Sequence, residues 1–289
     1  MRKAAVQPML EADRLRRWTV HQLHSKVVPV PWARRLVIDA GRAAQRRHAI
    51  HGLFEVDVTS ARGALRRHRE TTGEDLSFTA FVIACVARAV AADPTVQAYR
   101  DLRGRDVIFD QVDVGLPVEV ELDGSSFAFT HVLRDAGSRT VQDLSREIRD
   151  VKADPHLSPS VRKAPWAHAY LILPGFVRIR LLGALHRLPH RQRALAGTIG
   201  VTAVGMFGAG GGWGIAFQLH TLGVVIGGIT RRPILFQDRL VEREFLQLTI
   251  SVDHDVVDGA PAARFVARLR GLLMAAEEIG LPETARRSA

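Results

Sequence analysis

Residues 248–266 read LTISVDHDVVDGAPAARFV. A strand-like apolar run ends in charge: His254 stands between Asp253 and Asp255, and Asp258 and Gly259 follow. The chain then passes straight into an alanine-rich helical pattern. A plain core strand has no use for this arrangement. A histidine where the chain leaves a sheet can project into a cleft while the sheet holds its backbone. Its imidazole takes up a proton near neutral pH, which a general base must do. Asp258 can orient groups around the histidine or hold the loop through an ion pair, and Gly259 suits a tight turn into the helix. A lone histidine beside aspartates is also common on surfaces, so the rest of the chain has to decide.

The 289 residues suit one large domain or two small ones, and 47% hydrophobic residues can bury a substantial core. The single cysteine, Cys85, excludes an internal disulfide framework and a cysteine-rich metal site. It sits inside the apolar helical pattern FVIACVARAV and reads as a buried structural thiol. With no apolar leader in MRKAAVQPMLEADRLRRW, the expected location is the cytoplasm, in the membrane periphery if the apolar and basic stretch 166–188 rests on a lipid surface. Forty Lys+Arg against 30 Asp+Glu give a net charge of +10. The basic residues are scattered through helical stretches with little aromatic interleaving. This argues against nucleic acid and for either solubility or attraction of a polyanionic small molecule such as coenzyme A.

Along the chain, residues 1–48 form a helical, arginine-rich arm, and 49–289 form the main domain. HGLFEVDVTS alternates as a strand does and ends at Thr59 or Ser60, either of which can cap a helix over ARGALRRHRE. DLSFTAFVIACVARAVAADP opens with a cap at Ser77, is apolar nearly all round, and predicts a buried helix. Residues 106–135 predict two strands or more with a turn at LDGSS, and TVQDLSREIRDVKADP an amphipathic helix. Residues 156–197 are an apolar, basic insert interrupted by Pro174 and Pro189, too short in its apolar runs to cross a membrane. It can cover a pocket, lie on a membrane, pack on another subunit, or simply form a pair of core helices. TIGVTAVGMFGAGGGWG is a strand and a glycine-rich loop; two further strands, in GIAFQLHTLGVVIGGITRRP and RLVEREFLQLTISVDH, precede the closing helix. The order predicts a mixed sheet in an α/β (α+β) domain.

Taken whole, SVDHDVVDGAPAARFVARL resembles the His-x-x-x-Asp-Gly signature of the dihydrolipoamide acyltransferases, the catalytic cores of 2-oxoacid dehydrogenase complexes, whose fold and motif chloramphenicol acetyltransferase shares. HGLFEVDVT, LSFTAFVIACVARAVAADPTVQAY, the 112–148 region and TLGVVIGGITRRP are similar to the family's core elements in the same order. The resemblance covers roughly 50–152 and 198–275. It implies a chloramphenicol acetyltransferase-like mixed-sheet sandwich with flanking helices, and a coenzyme A-dependent transfer of an acyl group from a thioester to a thiol, hydroxyl or amine acceptor, small or lipid-like. In this resemblance His254 is the general base. Thr202, in GVTAVGMFG, falls where the family strand Thr-Ile-Ser-Asn-Leu-Gly has the serine that stabilises the oxyanion. Asp258 matches an aspartate that holds the site through an ion pair with an N-terminal arginine, here expected to be Arg34. The site is implied to lie between the subunits of a homotrimer, or of a higher multiple of trimers.

Four departures accompany the resemblance. Asp255 replaces the arginine that usually follows the histidine, Ala203 replaces the asparagine after the serine, and the 156–197 insert is longer and more apolar than the family's linker. The resemblance also begins by about residue 50, so no lipoyl domain, and hence no covalently attached lipoyl group, is expected on a stand-alone enzyme. These changes leave a second reading open, a non-catalytic acyltransferase-fold protein serving assembly or interaction. Two other motifs carry less. GAGGGWG lacks the Lys-Ser/Thr of a phosphate-binding loop and reads as a structural loop, and His186 and His190 lack the glutamate of a zinc-protease pattern, so no metal is expected.

Overall fold

The computed structural model describes residues 27–122, 125–159, 169–205 and 211–280. The first half of the arm, the turn at 123–124, residues 160–168 of the insert and 206–210 of the glycine-rich loop lie outside the described residues. The elements run in the order α1 (Trp32–Ala44), β1 (Ala49–Asp57), α2 (Thr59–Thr72), α3 (Phe78–Ala91), the short pair β2 (Tyr99–Arg100) and β3 (Asp106–Val107), β4 (Val114–Leu122), β5 (Ser125–Leu133), α4 (Val141–Ala153), α5 (Gly175–His186), α6 (Pro189–Ala196), β6 (Ile199–Ala203), β7 (Leu222–Phe236), β8 (Arg239–Asp253), α7 (Gly259–Ala275) and a last turn, α8 (Glu277–Gly280).

Six strands make one mixed sheet in the order β1-β8-β7-β6-β4-β5. β6 runs parallel to both its neighbours, and the other pairings are antiparallel. This is the mixed α/β sheet with flanking helices that the strand and helix pattern predicts. Alternation sorts the residues of β8 between two faces. Leu246, Leu248, Ile250 and Val252 enter one hydrophobic core with α3, which contributes Phe81, Ile83 and Val86, and with Phe265, Leu269 and Leu273 of α7. Gln247, Thr249, Ser251 and Asp253 point to the other face and are buried as well. That second face is polar, and it carries the candidate site.

α3 forms as its sequence demands. Ser77 sits in extended backbone and its hydroxyl accepts the Ala80 N–H at 3.3 Å, while ten of its residues are buried. α4 begins with a reciprocal cap between Thr140 and Asp143. Cys85 is buried in α3, and burial pushes its thiol up to about 12, the inert state expected. Two local expectations are corrected. Neither Thr59 nor Ser60 caps α2: Val58 occupies the cap position, and Thr59 instead donates both its N–H and its hydroxyl to Asp57 Oδ1, at 2.9 and 2.6 Å. This turn centred on an aspartate does the work of the cap. Residues 214–220 do not open a strand; β7 starts at Leu222. Gln218 donates its Nε2 to the carbonyls of His220, Thr221 and Ser251 at 2.7, 3.2 and 3.0 Å, tying the segment across the polar face of the sheet.

The glycines explain how that segment lies so close. The Gly228 N–H donates to the Gly212 carbonyl at 2.9 Å, and a Cβ on Gly228 would collide with the Gly211 backbone. Gly211 itself has φ 90°, a left-handed conformation that favours glycine. This much of the GAGGGWG stretch is a structural loop, backbone packed on backbone.

Candidate active site

β8 delivers His254, and the start of β1 holds it. Asp253, the last residue of β8, pairs with Ala49 across the ladder. One step beyond, the His254 N–H donates to the His48 carbonyl at 2.9 Å. The Val256 and Val257 N–H groups then close the turn on the Asp253 carbonyl, at 3.0 and 2.9 Å. The backbone of His254 is thus fixed on both sides while its side chain is exposed.

The aspartates on either side of it differ sharply. Arg47 Nη1 donates to Asp253 Oδ2 at 2.6 Å, with the two side chains only 13% and 6% exposed. Removing either partner of such a buried pair strands the other charge. Asp255, at the position where the family resemblance expects arginine, is exposed and lies 2.8 Å from His48 Nδ1. The hydrogen bond and the charge of Asp255 raise the His48 imidazole above its ordinary range. Two consecutive residues, Arg47 and His48, therefore clamp the two aspartates that flank the histidine. Sequence reading missed both. They matter because antiparallel register sets the start of β1 against the end of β8, and no local pattern reports register.

The expected partnership of Arg34 with Asp258 does not form among the described residues. Arg34 is exposed on α1, and Asp258 is exposed at the cap position of α7, where its side chain accepts no capping hydrogen bond. The arginine–aspartate pair at this motif is Arg47–Asp253 instead. Gly259 is the first residue of α7; a Cβ there would meet nothing within 4 Å, and its φ is not in the left-handed region, so the turn does not demand glycine.

Thr202 lies on β6 between the core-facing Val201 and the core-packed Ala203, so its side chain faces the polar side of the sheet, half-buried. It stands level with Val225 of β7, and Val225 with Thr249 of β8. The Thr249 hydroxyl is buried without a hydrogen-bond partner. This register also measures the site. His254 lies five residues past Thr249 and two strands away from Thr202, which at ordinary strand rise and spacing places the two about 19 Å apart within one chain. A base and an oxyanion donor must both lie within hydrogen-bond reach of the reacting atoms. One chain does not bring them together.

Behind the sheet ends lie two neutral histidines. His220 presents its Nε2 to the Ala196 carbonyl at 2.9 Å, so that nitrogen carries the proton. Its Nδ1 side packs where a Cβ on Gly200 would approach to 2.7 Å. Burial first, and the Arg47 charge after it, press His220 down to about 4, against the hydrogen bond that raises it. His186, at the end of α5, is likewise lowered to about 4 by burial and by Arg47. Two cavities, of about 410 and 310 Å³, open beside Asp113 and beside His131, and neither is lined by His254 or Thr202.

Residues 189–281 match the family model of the 2-oxoacid dehydrogenases acyltransferase (catalytic domain). The lipoamide acyltransferase component of the branched-chain alpha-keto acid dehydrogenase complex of Bacillus subtilis is 23% identical over 78% of this chain and 46% of its own length. Its counterpart in Pseudomonas putida is 27% identical over 86% of this chain and 52% of its own length. The chain thus spans about half the length of the curated relatives it matches. Among solved structures, a probable dihydrolipoamide acetyltransferase from Listeria monocytogenes superposes with a TM-score of 0.65 at 19% identity, over 90% of this chain and 98% of that one. The dihydrolipoamide acetyltransferase of Azotobacter vinelandii, solved to probe the role of a serine, a histidine and an asparagine in its catalytic mechanism, gives 0.64 at 20% identity, over 89% of this chain and 96% of that one. Residues 189–281 therefore match the catalytic-domain family of the 2-oxoacid dehydrogenase acyltransferases, within a chain that has the fold of those domains.

Proposed function

We propose that this chain is an acyltransferase that moves an acyl group from a coenzyme A thioester to a thiol, hydroxyl or amine acceptor, and that each active site is built between two copies of the chain. His254 accepts the proton of the acceptor as its heteroatom attacks the thioester carbonyl. The Thr202 hydroxyl of a neighbouring copy donates a hydrogen bond to the tetrahedral oxyanion. Collapse of the intermediate expels the coenzyme A thiolate, which takes the proton back from His254. Coenzyme A is a substrate here, and its +10 partner is electrostatically suited to a polyanion.

The observation that carries this reading is the clamped turn. An exposed imidazole stands on a backbone fixed by His48 and by a buried Arg47–Asp253 pair, an arrangement that presents a base without letting it wander. Two facts support the shared site: the separation of about 19 Å between His254 and Thr202 within one chain, and the lack of either residue in the two cavities. The spacing agrees as well. The serine and histidine probed in the Azotobacter vinelandii enzyme are fifty-two positions apart, as are Thr202 and His254, and its asparagine follows its histidine by four, as Asp258 follows His254. A threonine donates the same hydrogen bond as serine, with a methyl that fixes its rotamer. A trimer, alone or in larger multiples, is the assembly that brings such surfaces together.

The test is thiol release from a panel of acyl-coenzyme A thioesters, with and without cell extract as acceptor source. His254→Ala should lower turnover by about 10²- to 10⁴-fold. Thr202→Val, which keeps the shape and removes the hydroxyl, should lower it by about 10²-fold. Near-normal turnover in the His254 variant would reject the assignment. Silence of the unmodified protein on every thioester would favour the second reading, an acyltransferase fold serving assembly.

A further inference from the structure

We propose that the exposed face of α1 and α5 docks on an anionic lipid bilayer, lying flat on the headgroups. The observation that prompts it is a helix whose composition contradicts its surroundings. α5, GFVRIRLLGALH, is apolar on every side, yet none of its residues is buried. A helix of that kind has its surface covered by something. α5 packs on α1, and the pair is tied by Asp39, whose carboxylate receives Arg178 Nε at 2.7 Å. The outer surface that remains is hydrophobic and basic together. On α5, Phe176 (70% exposed) stands one turn before Arg180, and Arg187 follows on the same ridge, with Ile172 (84% exposed) just ahead of the helix. On α1, Ile38 stands between Arg34 and Arg42 at four-residue spacing, all three exposed.

Charge decides among the possible occupants. Residues 169–197 contain no acidic side chain, and residues 27–48 contain one, Asp39, which is buried against Arg178. Among the described residues, Arg34, Arg42, Arg46, Arg180 and Arg187 have no acidic partner. Aliphatic and aromatic groups that enter the acyl boundary, interleaved with arginines that reach the headgroups, are what a helix lying in a lipid interface needs. A second copy of the same face would set arginine against arginine. Among the described residues no helix is long and apolar enough to cross a membrane, and α5 at twelve residues is about 18 Å long, so the contact is lateral.

This inference does not depend on acyl transfer, and its test contains no thioester. The full chain is sedimented with vesicles of mixed phosphatidylglycerol and phosphatidylcholine, and with vesicles of phosphatidylcholine alone. It should pellet with the anionic vesicles, stay in solution with the neutral ones, and be released by salt. The triple variant Arg42→Gln, Arg180→Gln, Arg187→Gln should lose about 100-fold in partition, roughly 5-fold for each arginine, with its thermal midpoint unchanged. Phe176→Ser should weaken binding and leave the oligomeric mass as it was. Failure to pellet with anionic vesicles, equal binding to both kinds, or a triple variant that binds as the parent does would overturn the proposal. A Phe176→Ser chain that changes mass and still binds vesicles would assign the face to a second copy instead.

Discussion

Helices α3 and α5 make a useful pair. Both are apolar on every side, and both carry arginine in an otherwise hydrophobic run. α3 disappears into the core, with ten buried residues between the sheet and α4 and α7; α5 lies outside, with none. The difference lies in where the charge falls. The one arginine of α3, Arg88, comes in its last turn, where the chain emerges, whereas Arg178 and Arg180 interrupt α5 near its middle and Arg187 caps its end. A core excludes an unpaired guanidinium: Arg178 is covered where it pairs with the buried Asp39, while Arg180 keeps its side of α5 in solvent. The position of each charge therefore separates the core helix from the surface helix.

The sharpest way to break this comparison is to truncate one phenylalanine in each helix. Phe81 of α3 is fully buried, and Phe81→Ala should cost ~3–5 kcal/mol of folding stability in urea titrations. Phe176 of α5 is 70% exposed, and Phe176→Ala should stay within about 0.5 kcal/mol. Similar losses from the two would mean that α5 is part of the core after all.

A smaller effect separates the histidines of the two regions. His220 is held neutral by burial, with its folded value lowered to about 4 from an ordinary 6.5. The unfolded chain takes up a proton below about 6.5 and the folded chain does not. Stability from this group is therefore present above about pH 6.5 and lost as the pH falls toward 4, by ~3 kcal/mol in all. His220→Asn, which keeps a donor for the Ala196 carbonyl, should flatten that part of the pH profile. An unchanged slope would place the acid sensitivity elsewhere. His48 runs the other way. Its value is raised by Asp255, so the pairing stabilises while the imidazole is protonated and fades as the pH rises through the folded value. Both groups are exposed there, and the change should be close to the limit of measurement.

Much of this fold is legible in local sequence. The period-two run ending at His254, the capped apolar helix opened by Ser77, and the amphipathic helix closed by Pro155 all state their structure in local sequence. The role proposed for Thr202 rests on resemblance, and resemblance strengthens the one proposed for His254, because a threonine in a strand and a histidine in a turn are individually ordinary. What stayed hidden depends on register and packing. Arg47 and His48 look like the end of an arginine-rich arm until β1 is laid against β8. Residues 214–220 carry a strand's apolar content, yet Gln218 hydrogen-bonds across the sheet and holds them out of the ladder. Arg34, three residues into α1, has the right chemistry for Asp258 and the wrong position.

In the proposed mechanism His254 and Thr202 act together only across an interface. Co-refolding His254→Ala chains with Thr202→Val chains tests it most directly, with assembly followed by light scattering. Each variant alone should be nearly inactive. With random mixing in a ring of identical contacts, about a quarter of the interfaces join an intact histidine to an intact threonine, and the mixture should recover about a quarter of the parent turnover. Mixed assemblies that form normally and recover nothing would rule out a site shared between copies.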